Sequence, residues 1–240
     1  MYKQAKTLIW NIYSYWWKIG KRCFCEEILI LGDSHASIFE HSYLRSMFPK
    51  YYFHVVSVGG ATVSGLENPN SKTQALPIFI EKIKKTKASK IIVSLGEVDT
   101  GFVIWYKSQK NNVSMSEVFR KAIANYQSFL LSLSEKYSVM CISTPLPTIQ
   151  DGHVLGDVAN ARNDVSATQG ERTALTLQFN DHMHTFCKLN RILYLSFDEE
   201  SLGKNGLVRS GLLSSNPTDH HYSGRAYAEM IVNKLKRIIE

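Results

Sequence analysis

The sequence predicts an α/β protein, a three-layer α/β/α sandwich around a mostly parallel, five-stranded sheet. Five apolar runs of strand length recur along the 240 residues, and segments with helical periodicity separate them. Short continuous apolar runs are typical of parallel strands covered on both faces, and strands that alternate with helices indicate a parallel sheet. The chain is also long enough to bury one such core without disulfides or metals. We therefore expect one α/β domain over residues 26–240.

The first 25 residues form a separate aromatic and basic segment. They hold three of the four tryptophans, Trp10, Trp16 and Trp17. Only 11 residues separate Lys6 from Lys18, whereas a spanning helix needs about 20 apolar ones. No small-x-small cleavage site for a secretory signal follows. We predict a helix over residues 1–25, and two interpretations stay open: packing on the domain or a partner, and an interfacial helix at lipid headgroups.

The remaining elements follow in chain order. The predicted strands are Ile28–Leu31, Phe53–Val58, Ile91–Leu95, Val139–Ile142 and Ile192–Leu195. An S-x-x-E capping box at Ser114 predicts a helix before the fourth strand, with an apolar face of Val118, Ala122, Tyr126, Phe129 and Leu133. The last helix follows Ser223 and presents Tyr227, Met230, Ile231, Leu235 and Ile238. Residues 145–170 form the longest irregular segment, which predicts a lid, a binding loop or a disordered insertion.

Charge and cysteine content exclude several classes of protein. The formal net charge of +7 suits an anionic partner, but the basic residues are spread along the chain. We therefore predict a solvated basic surface and no nucleic-acid binding. The four cysteines form neither a CxxC pair nor a zinc spacing, which favours a reducing compartment and no metal site. The sequence also contains no phosphate-binding loop, no dinucleotide-binding glycine motif and no G-x-S-x-G elbow.

Polar turns follow the strands and contain chemically useful residues. The first strand ends in GDSH (32–35), the second in SVGGATVSG (57–65) and the third in SLGEVDTGF (94–102), and NPTDHHYSGRAY (216–227) precedes the last helix. Since sites of parallel sheets lie at the carboxyl ends of strands, these turns are expected to meet. Together they supply what nucleophilic acyl transfer needs. Ser34 is the candidate nucleophile, although a serine here also suits a simple helix N-cap.

A serine nucleophile needs a base and donors for the oxyanion. A neutral imidazole must take the hydroxyl proton, and a partner must hold the other ring nitrogen. Asp219 and His221 stand two residues apart, so in an extended segment they point to the same side. The backbone N–H groups of Ser34 and Gly60 are candidate oxyanion donors, because glycine lets the backbone approach closely.

These blocks resemble those of the SGNH/GDSL hydrolase family. GDSH is similar to the family's first block, with the nucleophile at Ser34. VGGAT is similar to the second block and places the oxyanion glycine at Gly60, with Gly59 as the neighbouring alternative. HYSGRAY is similar to the family's His-Leu-Ser-x-x-Gly-Tyr ending, which implies His221 and not His220 as the base. The resemblance implies a flavodoxin-like SGNH hydrolase fold over residues 26–240, with ester hydrolysis or acyl transfer.

The sequence departs from the family pattern at two positions. The family's third block is Gly-x-Asn-Asp, in which the Asn side chain donates to the oxyanion, whereas GEVD has Val98 there. Loss of such a donor costs on the order of 3 kcal/mol of transition-state stabilisation. The family's Asp also stands three residues before the His, where this chain has Thr218. The sequence alone therefore does not decide the role of Asp219 or the activity of the site.

The predicted function is serine-esterase or O-acyltransferase chemistry, with catalytic residues Ser34, His221 and Asp219. Glu97, Asp99 and Arg172 are predicted substrate-binding residues, the two acids for sugar hydroxyls. GEVDTGFVIWY is similar to SGNH-like proteins from bacterial surface-polysaccharide gene clusters, which implies an O-acyl group, O-acetyl above all, on a glycan. The alternative is a non-catalytic glycan-binding or polysaccharide-assembly protein on a degenerate SGNH fold. We expect no cofactor, a small-molecule or glycan substrate, and a cytoplasmic location, with membrane or protein contact through residues 1–22 left open.

Overall fold

The computed structural model describes residues 25–152, 165–216 and 219–239. Within these ranges, five strands form one sheet in the order β2-β1-β3-β4-β5, and every neighbouring pair is parallel. The strands are β1 (Glu26–Gly32), β2 (Tyr51–Ser57), β3 (Lys90–Ser94), β4 (Ser138–Ile142) and β5 (Leu193–Leu195). The predicted α/β fold is thus confirmed, whereas the predicted helix over residues 1–25 lies outside the described residues, except for Cys25.

Helices cover both faces of the sheet. They are α1 (Ser42–Met47), α2 (Val63–Leu66), α3 (Ala75–Lys85), α4 (Ile104–Asn111), α5 (Met115–Ser134), α6 (Gln169–Leu189), α7 (Asp198–Ser201) and α8 (Gly224–Ile239), with 3-10 helices at Ser34–Glu40 and Ser210–Leu212 and a π-helical turn at Asp99–Val103. In the part of the chain that the structure describes, no helix is long and apolar enough to cross a membrane.

Alternate strand residues face two separate cores, as the period of a strand requires. Leu29 and Leu31 of β1 lie in the core under α3, α5 and α6, whereas Ile28 and Ile30 lie in the core under α1 and α8. Both layers therefore pack on the same interior strand, β1. The sheet is covered on each side, which explains why its strands are continuously apolar.

Two helices test the predicted apolar faces. In α5 the Oγ of Ser114 accepts the N–H of Glu117 at 3.2 Å, which is one of the two hydrogen bonds of the predicted capping box, and Ala122, Tyr126, Phe129 and Leu133 are buried. The prediction for α8 is wrong at Ile238, which is 39% exposed, because the last turn of α8 lies at the amino edge of the sheet. Of the irregular segment predicted over 145–170, residues 153–164 lie outside the described residues, and its last two residues, Gln169 and Gly170, already belong to α6.

Candidate active site

The site lies at the carboxyl end of β1, where the chain has close contacts with both neighbouring strands. A Cβ on Gly32 would stand 2.3 Å from the carbonyl oxygen of Ser94 on β3, so only glycine permits this approach. The N–H of Asp33 donates to that same oxygen at 3.2 Å. On the other side, the Oγ of Ser57 at the end of β2 donates to the carbonyl oxygen of Asp33 at 2.8 Å. The turn that carries Ser34 is therefore held from both sides.

Asp33, and not Ser34, caps the helix that follows. The Oδ1 of Asp33 accepts the backbone N–H of His35 at 2.9 Å and contacts its Nδ1 at 3.1 Å. Ser34 is the first residue of the 3-10 helix, so its hydroxyl is not needed to satisfy the helix terminus. The interpretation of Ser34 as a simple N-cap is therefore wrong. Aspartate is as good an N-cap residue as serine.

The three predicted catalytic side chains lie within hydrogen-bonding distance of one another. The Nε2 of His221 is 2.9 Å from the Oγ of Ser34, although 187 residues separate them in the chain. The Nδ1 of His221 is 2.7 Å from the Oδ1 of Asp219, which also accepts the backbone N–H of His221 at 3.0 Å. With Nδ1–H donated to a carboxylate, the lone pair of Nε2 faces the hydroxyl. The arrangement can therefore take a proton from Ser34.

Asp219 is suited to remain an anion beside His221. Partial burial would raise its pKa, but the backbone N–H and the imidazole of His221 outweigh that effect and lower the pKa below its usual value. A carboxylate that stays ionised fixes the ring tautomer and favours an imidazolium when one forms. The two-residue spacing from Asp219 to His221 thus supports the contact. Thr218, which stands at the family's position, lies outside the described residues.

The predicted oxyanion glycine is in the turn after β2, the strand that pairs with β1 just before Ser34. Gly60 has φ of +70°, a left-handed conformation that favours glycine, and its backbone is exposed. The turn is fastened to β1, since the N–H of Val58 donates to the carbonyl oxygen of Gly32 at 2.9 Å. An exposed, glycine-permitted backbone on the neighbouring strand end suits an oxyanion donor.

Asp99 does not line the site, which corrects its assignment as a substrate-binding residue. Its side chain is fully buried. Its Oδ2 accepts the N–H of Val63 at 2.8 Å, and its Oδ1 accepts the N–H of Ser64 at 3.1 Å. Asp99 therefore holds the amino end of α2, just after the turn of Gly60, and acts as a positioning residue. Burial raises its pKa to about 6, against the lowering effect of the hydrogen bonds from Ser64 and Val63.

This burial leads to a stability prediction for Asp99→Asn. Because the folded pKa of Asp99 lies above its unfolded value, the native state binds more protons between about pH 4 and 6, and wild-type stability falls as the pH rises through that range. Asn does not titrate and offers one acceptor for two N–H donors, so it is destabilising, but less so at high pH. We expect its deficit to shrink by about 2 kcal/mol between pH 4.5 and 7.

Urea unfolding of both proteins across this pH range measures the effect. Asp181→Asn, on the exposed side of α6, is the matched control, and its difference from wild type should stay nearly constant. A deficit of Asp99→Asn that grows with pH would contradict the assigned direction.

Glu97 and Arg172 are also buried, which corrects their assignment to substrate binding. Glu97 is 2% exposed and lies in the helical segment that follows β3. The Nη2 of Arg172 donates to the carbonyl oxygen of Ile149 at 2.8 Å, and its Nε donates to that of Thr168 at 3.3 Å. Arg172 thus ties the amino end of α6 to the preceding loop.

Val98 lies beside these buried acids and is partly exposed. It has φ of −65° and ψ of −32° and precedes the π-helical turn. Gly96, two residues earlier, has φ of +118°, and a Cβ there would stand 2.5 Å from the Oγ1 of Thr144. The third block is therefore packed closely against Thr144. The side chain of Val98 has no hydrogen-bond donor.

Two further imidazoles, those of His35 and His220, lie beside the candidate base His221. The ring centroid of His221 lies 4.6 Å from that of His35 and 4.1 Å from that of His220. Asp219, His220 and His221 each offer a ligand atom, and these atoms lie within 4.8 Å of one another. They could therefore approach a metal ion, but the carboxylate of Asp219 already contacts the Nδ1 of His221, and the Nε2 of His221 already contacts Ser34. As found, the cluster is arranged for proton transfer.

A cavity adjoins His221. It has a volume of about 330 Å³ and is lined among others by Glu40, His41, Asp219, His221 and Tyr222. Its size suits a small molecule. One wall is fastened by contacts that the sequence does not signal: the Oγ1 of Thr148 donates to the carbonyl oxygen of His220 at 2.6 Å, and the N–H of Leu146 donates to the hydroxyl of Tyr222 at 2.6 Å.

Comparison with known proteins identifies the fold. No protein-family model and no curated protein matches the sequence. Solved structures do match, among them a GDSL-like lipase from Bacteroides thetaiotaomicron, with 13% identity, 88% of this chain and 86% of that chain covered, and a TM-score of 0.61. An acetyl xylan esterase matches with 12% identity, coverage of 89% and 100%, and a TM-score of 0.55.

A third similar structure is a carbohydrate acetylesterase from Sinorhizobium meliloti. It shares 9% identity, with 89% of this chain and 100% of that chain covered and a TM-score of 0.56. Similarity at this level of identity establishes the fold and not the activity. The chain thus has the fold of the SGNH/GDSL hydrolases, and the resemblance of its sequence blocks is confirmed at that level.

Proposed function

We propose that the protein is a serine esterase or O-acyltransferase that acts through an acyl-Ser34 intermediate. The observation that carries the proposal is the continuous hydrogen-bonded series from Asp219 to His221 to Ser34. A hydroxyl in contact with an imidazole nitrogen, whose other nitrogen contacts a carboxylate, is the constellation of serine acyl transfer. Its position at the carboxyl end of the central strands is where sites of such sheets lie.

The reaction proceeds in two steps. The Oγ of Ser34 attacks the ester carbonyl while Nε2 of His221 takes its proton, and the N–H groups of Ser34 and Gly60 donate to the resulting oxyanion. His221 then protonates the departing alcohol oxygen, which leaves the acyl group on Ser34. Water attacks this ester in a hydrolase, and a second hydroxyl attacks it in a transferase. His221 takes the proton of the attacking group and returns it to Ser34.

The proposed substrate is an O-acyl group, O-acetyl above all, on a bacterial glycan or its precursor. Two of the similar structures are named as an acetyl xylan esterase and a carbohydrate acetylesterase. The cavity beside His221 has room for a small molecule, and Glu40 and His41 offer hydrogen bonds for hydroxyl groups there. The sugar contacts would then come from the segment after β1, since Glu97 and Asp99 are buried.

A fluorophosphonate probe tests the activity directly. The activated hydroxyl of Ser34 should displace fluoride, and peptide mass spectrometry should find the adduct on Ser34. Ser34→Ala should not react. Ser134→Ala is the matched control, because Ser134 is an exposed serine in the last turn of α5, away from the candidate site, and it should label as the wild type does.

The absence of a donor at Val98 favours the second candidate, a glycan-binding or polysaccharide-assembly protein that has lost catalysis. This candidate predicts a folded protein whose Ser34 does not react with the probe. That result would exclude the esterase, whereas labelling of Ser34 would exclude the non-catalytic protein.

A further inference from the structure

The edge of the sheet opposite Ser34 is basic. Helices of a parallel α/β sheet run back from the carboxyl edge, so their last turns meet the starts of the strands. Here the Oγ1 of Thr86, after α3, donates to Glu27 at the start of β1 at 2.9 Å. The hydroxyl of Tyr51, at the start of β2, donates to the carbonyl oxygen of Ile239 at the end of α8. Both helix layers therefore end on one surface.

We name the cations of this surface the basic rim. They are Lys50, Lys82, Lys84, Lys85, Lys87, Lys90, Lys136, Lys188, Arg191, Lys236 and Arg237. In the same described segments the acids are Glu26, Glu27, Glu81 and Glu135. Three of these acids already have cationic or buried contacts: Glu26 pairs with Lys90, Glu81 pairs with Lys85, and Glu27 is buried against His54. The cations thus clearly outnumber the acids.

Helix electrostatics explain only part of the basic rim. Lysines in a last turn interact favourably with the helix dipole, which applies to Lys84 and Lys188. Lys50, Lys87 and Arg191, in contrast, lie in loops outside the helices and are exposed. This edge therefore carries more positive charge than the helix dipoles explain.

Exposed apolar side chains lie among these cations. Leu189 is 77% exposed, the largest value among the large hydrophobic side chains of the described residues, and it stands between Lys188 and Arg191 in the chain. Ile238 is 39% exposed and follows Arg237. Cations beside exposed aliphatic groups are typical of surfaces that meet lipid headgroups, where a large apolar group can leave water.

The aromatic N-terminal segment joins the domain at the same edge. Cys25 precedes β1, and its Sγ donates to the carbonyl oxygen of Pro49, next to Lys50, at 3.4 Å. The sequence before it contains Trp10, Trp16 and Trp17 together with Lys18, Lys21 and Arg22. Tryptophan is enriched at the membrane interface, and basic residues are attracted to anionic lipids.

From these observations we propose that the basic rim is a docking surface for an anionic lipid bilayer. Strand β1 has seven residues, so the sheet alone would hold Ser34 about 20 Å from the membrane. The catalytic edge then faces water. A docked protein acts on substrates in solution or on glycans that extend from the surface, and not on lipid acyl chains in the bilayer.

Sedimentation of the full chain with vesicles tests the docking. We expect binding to phosphatidylcholine vesicles that contain phosphatidylglycerol, weak binding to phosphatidylcholine alone, and a loss of binding as salt is raised. The triple variant Lys84→Gln, Lys87→Gln, Lys188→Gln should bind roughly 100-fold more weakly, about a factor of five for each neutralised cation. Hydrolysis of a soluble ester should continue on the vesicles.

A matched variant separates the position of the charges from their number. Lys72→Gln, Lys121→Gln, Lys204→Gln removes three exposed cations that lie away from the basic rim, and its affinity should stay within about a factor of three of wild type. Equal weakening of both variants would overturn the proposal, as would equal binding to neutral vesicles. If the Lys84, Lys87 and Lys188 variant lost binding to a DNA duplex but still bound vesicles as the wild type does, the basic rim would be a nucleic-acid site instead.

Discussion

Ser34→Ala and His221→Ala should each lower kcat/KM for p-nitrophenyl acetate by about 10⁴-fold or more. Alanine at position 34 leaves no atom to form the acyl-enzyme, and alanine at position 221 leaves no group to take the hydroxyl proton. In the structure both residues belong to one hydrogen bond, between Nε2 and Oγ at 2.9 Å. Residues that act as one unit are strongly non-additive. The double variant should therefore be little worse than either single variant.

Two controls make the result specific to the site. Ser134→Ala should keep nearly full activity, because Ser134 is exposed at the end of α5, on the amino edge of the sheet. Asp219→Asn should keep more activity than His221→Ala, since the ring remains and loses only its anionic partner. Additive losses in the double variant would show that the two residues act independently, which would contradict the proposed proton transfer. Circular dichroism should confirm that each variant is folded.

The parts of the fold that depend on local pattern are predictable from the sequence. The interior strands β1, β3 and β4 are apolar runs because they are buried on both faces, and the S-x-x-E pattern at Ser114 marks the start of α5. The order of the strands is not predictable in this way. The runs of β2 and β3 are chemically alike, and only the packing of whole layers decides that both lie beside β1. The resemblance to a known fold supplies what the pattern lacks.

Some residues of the candidate site can likewise be predicted from local pattern, and others cannot. Ser34, Asp219 and His221 can be found from the sequence because each lies in a short block whose residues and spacing carry the chemistry. Asp99 cannot be placed correctly, because its partners Val63 and Ser64 lie about 35 residues away in the chain. An acid that follows a strand is expected to be exposed at the edge of the sheet. Asp99 is instead buried, where it accepts hydrogen bonds from the backbone N–H groups of α2. A contact of that kind requires the three-dimensional structure.

Val98→Asn is expected to raise kcat for ester hydrolysis, by between about 10- and 1,000-fold if the amide reaches the oxyanion. In the SGNH/GDSL hydrolase family, which the sequence blocks resemble, the third block has an Asn side chain at this position. The structure gives Val98 a helical backbone conformation that Asn can adopt. The side chain is partly exposed, so the change creates no buried polar group. The gain should appear in kcat with a small change in KM, because the oxyanion exists only in the transition state and the intermediate.

Variants of similar size separate a donor effect from a change of shape. Val98→Leu has no donor and should leave kcat close to wild type. Val98→Asp places an acceptor, and near neutral pH a negative charge, next to the oxyanion, so it should lower kcat below wild type. The order Asn above Leu above Asp therefore follows from electrostatics alone. Equal values for Asn and Leu would show that position 98 does not face the oxyanion, and that the backbone N–H groups of Ser34 and Gly60 must stabilise it without a side-chain donor.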